Sequence, residues 1–521
     1  MKEKFNSIHD FATSLCDEEL FLRIEKVIHF AIDNINQVNL NSKIWKESIG
    51  PHITLADKTI IETSLLLLLA KRITYLPCKI ESSLNDLGEK LLPLIRNEHN
   101  ESLLMRIPQT AAIFGIGHIA LCSLGLTDCD FDVLIKRSFE NGEVYNTERV
   151  PYRILDVFWL NNLIFPNATM KFDRVLPNTI LMNKPHPIYM TTTDIYALTH
   201  SVMYVTDFGT KPLPPSIDII QLSSLIDSAI AYHLLSDNLD ILGELIMTVA
   251  MMDIPWSPYV KTAWILFTKI WDKLGFLPCP TFDASAFKLL TGEEASSYAF
   301  KHLYHTTYVG GILCCLLLNC RGHDRSDYTK SFSDEVHVEE EKLLAQIKNC
   351  IGRADSFSQK HYNYNLVENL KINSNVIHEY SIIDSEKKFI VRKLRQYFDQ
   401  NGSSKILASF ILSDPELKND ELGAILTDAF LIHSIQDYNL PLLTETLSCI
   451  LNFKIPISFT TYKAIEFIIN QQVSSGAIGA HFLYKSNLET LEALEITSEL
   501  SKCLFNMEKY IKENKSLLRA D

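Results

Sequence analysis

The chain has 521 residues, too many for one ordinary hydrophobic core, so we expect several lobes or one long repeat array. Hydrophobic residues make up 47% and charged residues 21%, a balance that excludes an intrinsically disordered chain. The formal net charge of −14 argues against nucleic-acid binding, because phosphate contacts need clustered lysine and arginine.

The sequence predicts a cytoplasmic protein that does not associate with membranes. Eleven cysteines, an odd number without a C-x-x-C pair, fall mostly in apolar runs, as expected of thiols in a reducing compartment. The first residues, MKEKFNSIHDFATSLCDEELF, carry acids where a secretory signal needs an apolar core. The apolar run Ile312 to Leu318 is far shorter than the roughly 20 residues of a membrane helix.

Apolar residues recur at spacings of three and four along nearly the whole chain, which predicts an all-α protein without a stable β-sheet. Proline and glycine clusters such as Gly209 to Ser216 and Gly275 to Pro280 mark breaks between helices. Four segments follow from these breaks and from one polar, charged stretch. They are N-terminal helices (1–105), a central α/α repeat region with the candidate pocket (106–320), a charged linker (321–342) and a C-terminal α/α repeat region (343–521).

Two parts of the chain resemble each other at an offset of 200 residues. AIAYHLLSD at Ala229–Asp237 aligns with AFLIHSIQD at Ala429–Asp437, so that His233 meets His433. After a one-residue insertion the alignment continues at an offset of 201, and Asn238, Leu239, Leu242, Glu244, Ile254, Pro255 and Ser257 meet Asn439, Leu440, Leu443, Glu445, Ile455, Pro456 and Ser458. Repeated helix pairs must stack to bury their apolar faces. We therefore predict an α/α repeat array, closed as an α/α toroid or else an open helical solenoid.

A polar stripe on the predicted helix near Thr193 is the first candidate site. At 100° per residue, Thr193, Tyr196, His200, Tyr204 and Asp207 share one face of an otherwise apolar helix. If this face lines a cavity, His200 is a candidate general acid or base, and Asp207 is a candidate catalytic partner that orients it. Tyr196 and Tyr204 would then contact substrate. The alternative is a buried polar network that only joins helices. Thr193 or Asp194 is predicted to cap the helix.

The sequence YHTTY forms a second candidate cluster. Tyr304 and Thr306 are predicted to bind substrate there, and His305 is a third catalytic candidate. Two histidines and a carboxylate that converge can hold Zn²⁺ or Fe²⁺. No compact ligand spacing such as H-E-x-x-H occurs, so we assign no metal ligand and no cofactor from the sequence.

Two further motifs carry charged side chains. In ERVPYR, Arg149 and Arg153 are candidate ligands for a substrate carboxylate or phosphate, or they cap a helix end or pair with Asp156. Pro151 is predicted at a first helical turn. In TDCDFD, Asp128, Asp130 and Asp132 are predicted to be turn and cap residues.

A resemblance to a known family rests on ERVPYRILD, DIYALTHSVMYVTDFG, GFLPCP and YHTT, which lie between Arg106 and Gly310. This stretch resembles a family of uncharacterised bacterial proteins, several of them from actinomycetes. The resemblance implies an all-helical fold and no particular activity. The family has the pattern DGxxPGP in the turn that ends at Pro280. This sequence departs from that pattern, because it has Lys273, Leu274 and Cys279 in this turn.

Two functional hypotheses remain open. In the first, a pocket lined by histidine, aspartate and tyrosine binds or processes a small molecule or a peptide by acid–base chemistry, as an enzyme of bacterial specialised metabolism would. In the second, a helical-repeat scaffold without catalysis grips a peptide or protein partner.

Overall fold

The computed structural model describes residues 15–38, 44–50, 52–167, 170–183, 185–236, 238–319, 334–362, 419–479 and 487–518. The prediction of a predominantly helical protein is confirmed in these ranges. Among the described helices, none combines the length and the apolar character that crossing a bilayer requires.

The described α-helices are α1 (Asp17–Asn34), α2 (Leu55–Lys71), α3 (Cys78–Ile95), α4 (Glu98–Arg106), α5 (Ala111–Ser123), α6 (Cys129–Glu140), α7 (Pro151–Ile164), α8 (Thr192–Val205), α9 (Ile219–Leu235), α10 (Leu239–Met252), α11 (Pro258–Leu274), α12 (Ala284–Phe287), α13 (Gly292–Asn319), α14 (Asp334–Tyr362), α15 (Asn419–Gln436), α16 (Leu440–Phe453), α17 (Phe459–Asn470) and α18 (Asn487–Leu518).

One short β-hairpin precedes α2, although the sequence predicted no sheet. Strand β1 (Ser48–Gly50) pairs antiparallel with β2 (Ile53–Thr54), and Ser48 faces Thr54. His52 takes a positive φ of 62° in the turn between them. Strands this short carry too few residues for an alternating pattern to show in the sequence.

The chain divides into two compact units. Unit 1 comprises Met1–Lys184, Thr191–Leu222 and Asn238–Ser326, and unit 2 comprises Pro185–Met190, Ser223–Asp237 and Asp327–Asp521. Of the predicted charged linker, residues 321–333 lie outside the described residues, and the remainder belongs to α14.

Helix α10 lies in the core of unit 1. Each of its residues is buried, and it packs against α8, α11 and α13. The side chain of Asn238 caps its first turn by accepting from the backbone N–H of Ile241, and Asp253 ends it in the left-handed conformation. A helix that is buried on all sides is expected to be apolar throughout, so Asp240 and Glu244 within it stand out.

Helix α13 is the second central helix of unit 1 and packs against α1, α2 and α10. Two adjacent glycines permit this close approach. A Cβ on Gly310 would lie 2.8 Å from the Trp271 ring, and a Cβ on Gly311 would lie 2.8 Å from a methyl carbon of Val27. The absence of side chains there lets α13 reach neighbours on two sides.

Unit 2 is an arrangement of α14 to α18 with part of α9. Helix α18 packs against α14 and α16, and α17 packs against α14 and α15. The short 3₁₀ segment Pro187–Tyr189 packs on α15 and α17. The core between these elements is aliphatic, and its most buried members include Ile347, Leu431, Leu443, Ile465 and Leu504.

The predicted repeat has a local structural counterpart. Asn238 and Asn439 cap α10 and α16 with nearly the same backbone angles, and each side chain accepts from the N–H three residues on. The two helices end in left-handed residues, Asp253 and Lys454, with φ of 53° and 52°. Ser257 and Ser458 then cap α11 and α17. The alignment therefore corresponds to repeated local geometry, whereas closure of the array into a toroid stays a prediction.

Candidate functional site

Four helices of unit 1 bring together three carboxylates and two imidazoles, which we call the His–carboxylate cluster. Helix α10 contributes two of the acids one turn apart, α2 contributes the third, and α8 and α13 contribute one histidine each. The cluster consists of Glu62, His200, Asp240, Glu244 and His305.

His305 lies between two carboxylates. Its Nδ1 is 2.9 Å from Oε2 of Glu62, and its Nε2 is 3.3 Å from Oδ1 of Asp240. Burial disfavours the charged ring, but Asp240 and Glu62 outweigh burial and raise the pKa of His305. Burial likewise disfavours ionised Glu62, but the charges of His305 and then Lys58 outweigh burial and lower the pKa of Glu62. Glu62 and His305 therefore form a carboxylate–imidazolium pair.

The two acids of α10 are each held by a hydroxyl group of α8. The Tyr196 hydroxyl donates to Oδ2 of Asp240 over 2.7 Å, and the Thr199 hydroxyl donates to Oε2 of Glu244 over 2.6 Å. Burial and then the neighbouring charge of Asp240 raise the pKa of Glu244. These hydrogen bonds fix the carboxylate planes, so the cluster is ordered before any ligand arrives.

His200 faces Glu244 from α8. Its Nδ1 is 3.6 Å from Oε2 of Glu244 and 3.3 Å from the hydroxyl of Thr199. The rings of Tyr152, Tyr196 and Tyr204 surround the imidazole, with centroids 5.8 to 6.2 Å away. Burial, followed by the positive charges of Arg153 and His305, lowers the pKa of His200, so its neutral form is favoured.

One side of the cluster is buried and the other side is partly exposed. The side chains of Asp240 and Glu244 are 5% and 3% exposed, whereas those of His200, His305 and Glu62 are 22%, 28% and 21% exposed. The two imidazoles and Glu62 therefore lie on the side of the cluster that is nearer to solvent.

The structure brings several predicted site residues to this cluster. His200 and His305 both belong to it, and the hydroxyls of Tyr196 and Thr306 contact Asp240. Tyr204 is buried beside the His200 ring. Tyr304 is also buried, and its ring packs against Phe300 and Tyr308.

Asp207 lies elsewhere, and Glu244 is the carboxylate that contacts His200. Helix α8 ends at Val205, and Asp207 leaves the helical spacing with a positive φ of 49°. Its Oδ1 accepts from Arg72 over 3.0 Å and from the Trp159 indole over 2.7 Å. The seven-residue spacing to His200 holds only on an unbroken helix, so the predicted pairing does not form.

We expect Asp207→Ala to destabilise unit 1 by about 2–3 kcal/mol, because it removes the carboxylate that pairs with the partly buried Arg72 guanidinium and accepts from the Trp159 indole. Asp207→Asn should cost less, since an amide oxygen still accepts from Trp159 and asparagine tolerates positive φ. Urea unfolding followed by tryptophan fluorescence measures both. An Asp207→Ala protein as stable as the wild type would contradict the structural role assigned to these contacts.

The two candidate arginines differ in whether their guanidinium groups are free to bind an anion. Arg149 donates to the backbone carbonyls of Val144 and Thr147 at 2.7 and 3.2 Å. It therefore binds backbone carbonyls, as a residue that caps a helix end does, and these bonds occupy its guanidinium. Arg153 makes a long 3.4 Å contact with Asp156, and its side chain is half exposed. Pro151 is the first residue of α7, as predicted. Arg153 is therefore the arginine that can still receive an anion.

Of the other predicted caps, the one before α6 is confirmed and the one before α8 is wrong. Asp128 caps α6 by accepting from the N–H groups of Asp130 and Phe131. For α8 the cap is Thr191 and not Thr193 or Asp194. Asp194 closes the capping box by accepting from the backbone of Thr191. The helix therefore begins one residue earlier than its sequence pattern suggested.

Sequence reasoning missed three members of the cluster, Glu62, Asp240 and Glu244. The signal that could have found them is one or two acids inside a strongly apolar run, as in TIIETSLLLLLA and NLDILGELIMTVAMM. Among the described residues, one group satisfies the proximity expected of metal ligands. Asp240, Glu244 and His305 each offer a ligand atom, and these atoms lie within 4.8 Å of one another.

These features define an all-α protein with a His–carboxylate cluster among its central helices. Residues 25–315, more than half of the chain, match the family described as "Domain of unknown function (DUF6895)", and the chain belongs to that family. The matched range contains every residue of the cluster and extends beyond the resemblance predicted for Arg106 to Gly310. No curated protein and no solved structure matches the chain.

Proposed function

We propose that this protein binds a small molecule or a peptide end at the accessible side of the His–carboxylate cluster and processes it by acid–base chemistry. The observation that carries the proposal is the pairing of two partly exposed imidazoles with two buried, hydrogen-bonded carboxylates. Desolvating two acids on one helix costs free energy that an ordinary core avoids, and such groups concentrate at functional sites.

His200 is the residue we assign to proton transfer. Its neutral ring is partly exposed, and Nδ1 is directed towards Thr199 and Glu244. This orientation leaves Nε2 as the nitrogen that meets a ligand entering from solvent. A neutral imidazole positioned through a threonine hydroxyl that is itself bound to a carboxylate can accept a proton from a ligand at Nε2.

The proposed ligand carries a carboxylate or a carbonyl oxygen. Arg153 lies near enough for its charge to act on His200, and its guanidinium stacks 5.1 Å from the centre of the Tyr152 ring. A half-exposed guanidinium stacked on the Tyr152 ring supplies bidentate hydrogen bonds to an anion, and the tyrosine rings around His200 supply apolar contact. Arg149, occupied by backbone carbonyls, is not part of the proposed site.

The test is a binding screen with a matched pair of variants. A panel of carboxylate metabolites and short peptides, followed by calorimetry, should yield a ligand that binds one per chain. Arg153→Gln and His200→Gln should each weaken its binding at least tenfold, and Arg149→Gln should leave binding unchanged.

A scaffold without catalysis predicts a different pattern. There the cluster only joins helices, so His200→Gln would lower the free energy of unfolding and leave partner binding intact. Failure of the whole panel, or equal affinity of the Arg153→Gln and wild-type proteins for a ligand that does bind, would reject the proposed site.

Several attributes accompany the proposal. We place the protein in the bacterial cytoplasm, supported by the lack of any disulfide among the described cysteines. We also propose that the repeated helix pairs form an α/α array, toroidal or open, around the ligand site.

A further inference from the structure

We propose that Asp240, Glu244 and His305 bind one first-row divalent metal ion, such as Zn²⁺, Mn²⁺ or Fe²⁺. The inference rests on the proposed function for its biological purpose, because the ion would lie beside His200 at the same cluster. Metal binding itself is measured without any organic ligand, so the two proposals can fail separately.

The three ligand atoms need only a small contraction. They lie within 4.8 Å of one another, and Nε2 of His305 is already 3.3 Å from Oδ1 of Asp240. Atoms bound to one tetrahedral ion at about 2.1 Å are roughly 3.4 Å apart. The largest change in separation is therefore about 1.4 Å, within the reach of side-chain rotation.

Each ligand already has the outer partner that a metal site requires. Glu62 accepts at Nδ1 of His305 and so directs Nε2 towards Asp240. Tyr196 holds one oxygen of Asp240, and Thr199 holds one oxygen of Glu244. A carboxylate behind a histidine fixes its ring and raises its basicity, and such outer partners typically change metal affinity by 10- to 100-fold.

The charges of the cluster also favour a cation. Asp240 and Glu244 are adjacent on one buried helix face, and Nε2 of His305 lies 3.3 Å from Oδ1 of Asp240. A divalent ion bound between these atoms would stabilise both acids in their ionised form. Imidazole together with two carboxylates suits Zn²⁺, Mn²⁺ and Fe²⁺ better than Ca²⁺ or Mg²⁺, which prefer oxygen alone.

The repeated segment supplies an internal comparison. In the alignment at offset 201, Glu445 of α16 aligns with Glu244, but Pro441 aligns with Asp240. The acidic pair is therefore a property of α10 and not of the repeat, which is expected if the pair serves a site and not the stacking of helices.

The experiment uses the full chain freed of metal by a chelator and then titrated with Zn²⁺, Mn²⁺ and Co²⁺ alone. We expect one equivalent to bind, with a Co²⁺ visible spectrum typical of nitrogen and oxygen ligands. Asp240→Asn and Glu244→Gln should each weaken binding at least tenfold, and Glu62→Gln should weaken it 10- to 100-fold. The matched control Glu445→Gln should bind as the wild type does.

Glu62→Gln keeps the proposal testable if the variants of the buried acids fold poorly, because Glu62 is partly exposed and its amide still accepts a hydrogen bond. Substoichiometric uptake, or stoichiometric binding that Glu62→Gln and Glu244→Gln leave unchanged, overturns the inference. Arg153→Gln should weaken the organic ligand and not the metal, which separates failure of the ligand site from failure of the metal site.

Discussion

Valine in place of Gly311 should destabilise unit 1 by about 3 kcal/mol. A Cβ at this position would lie 2.8 Å from Cγ1 of Val27 and 3.2 Å from Cδ1 of Leu66, both in the core. Helix α13 cannot retreat freely, because the neighbouring Gly310 is in equally close contact with Trp271 and Leu277. Overpacking of this kind forces strained rotamers or a backbone shift.

Tryptophan fluorescence during urea unfolding reports this change selectively, because the tryptophans all belong to unit 1: Trp45, Trp159, Trp256, Trp264 and Trp271. The matched control is Gly352→Ala in α14, where a new Cβ meets no atom within 4 Å. Alanine should there gain up to about 1 kcal/mol from helix propensity, measured by circular dichroism. If both substitutions raised, or both lowered, the free energy of unfolding, the close packing assigned to Gly310 and Gly311 would be contradicted.

Much of the fold follows from local rules that a sequence displays. The three-and-four spacing, Pro151 at a helix start, and Asp128 before α6 correctly predicted helices and caps. The alignment at offsets 200 and 201 corresponds to matching caps at Asn238 and Asn439. The arrangement of helices depends on contacts between distant residues, such as Val27 with Gly311, which no local pattern encodes.

The candidate site was predicted in part for the same reason. His200 and His305 attract notice because each interrupts an apolar helix. Their convergence, through Glu62 and Asp240, arises from packing of α2, α8, α10 and α13, which the sequence does not show. Asp207 was assigned to the stripe by extending ideal geometry past Val205, where the helix ends. Helix termini are where periodicity arguments fail first.

Lowering the pH from 7 to 5 should destabilise unit 2 through His233 and His433. The Tyr232 ring lies between them, 4.9 Å from the first imidazole and 4.6 Å from the second. Burial, and then the charge of His433, lowers the pKa of His233 to about 3. Burial lowers the pKa of His433 to about 4, although Asp437 opposes the shift.

The sign follows from proton binding. Both histidines titrate near pH 6.5 in the unfolded chain, so below that value the unfolded state binds more protons than the folded state. The two neutral histidines therefore make their full contribution to the free energy of unfolding of unit 2 above about pH 6.5, and this contribution is lost as the pH falls towards 4. At pH 5 each histidine should cost about 2 kcal/mol.

Urea unfolding followed by circular dichroism from pH 7 to pH 5 measures the effect, and tryptophan fluorescence tracks unit 1 in the same samples. His233→Leu should remove about half of the pH dependence of unit 2, because leucine fits the apolar surroundings and binds no proton. Adding His433→Leu should leave the contribution of His186, whose pKa burial also lowers. If the double variant kept the full acid sensitivity, these buried imidazoles would not be its source, and other groups of unit 2 would have to bind the protons.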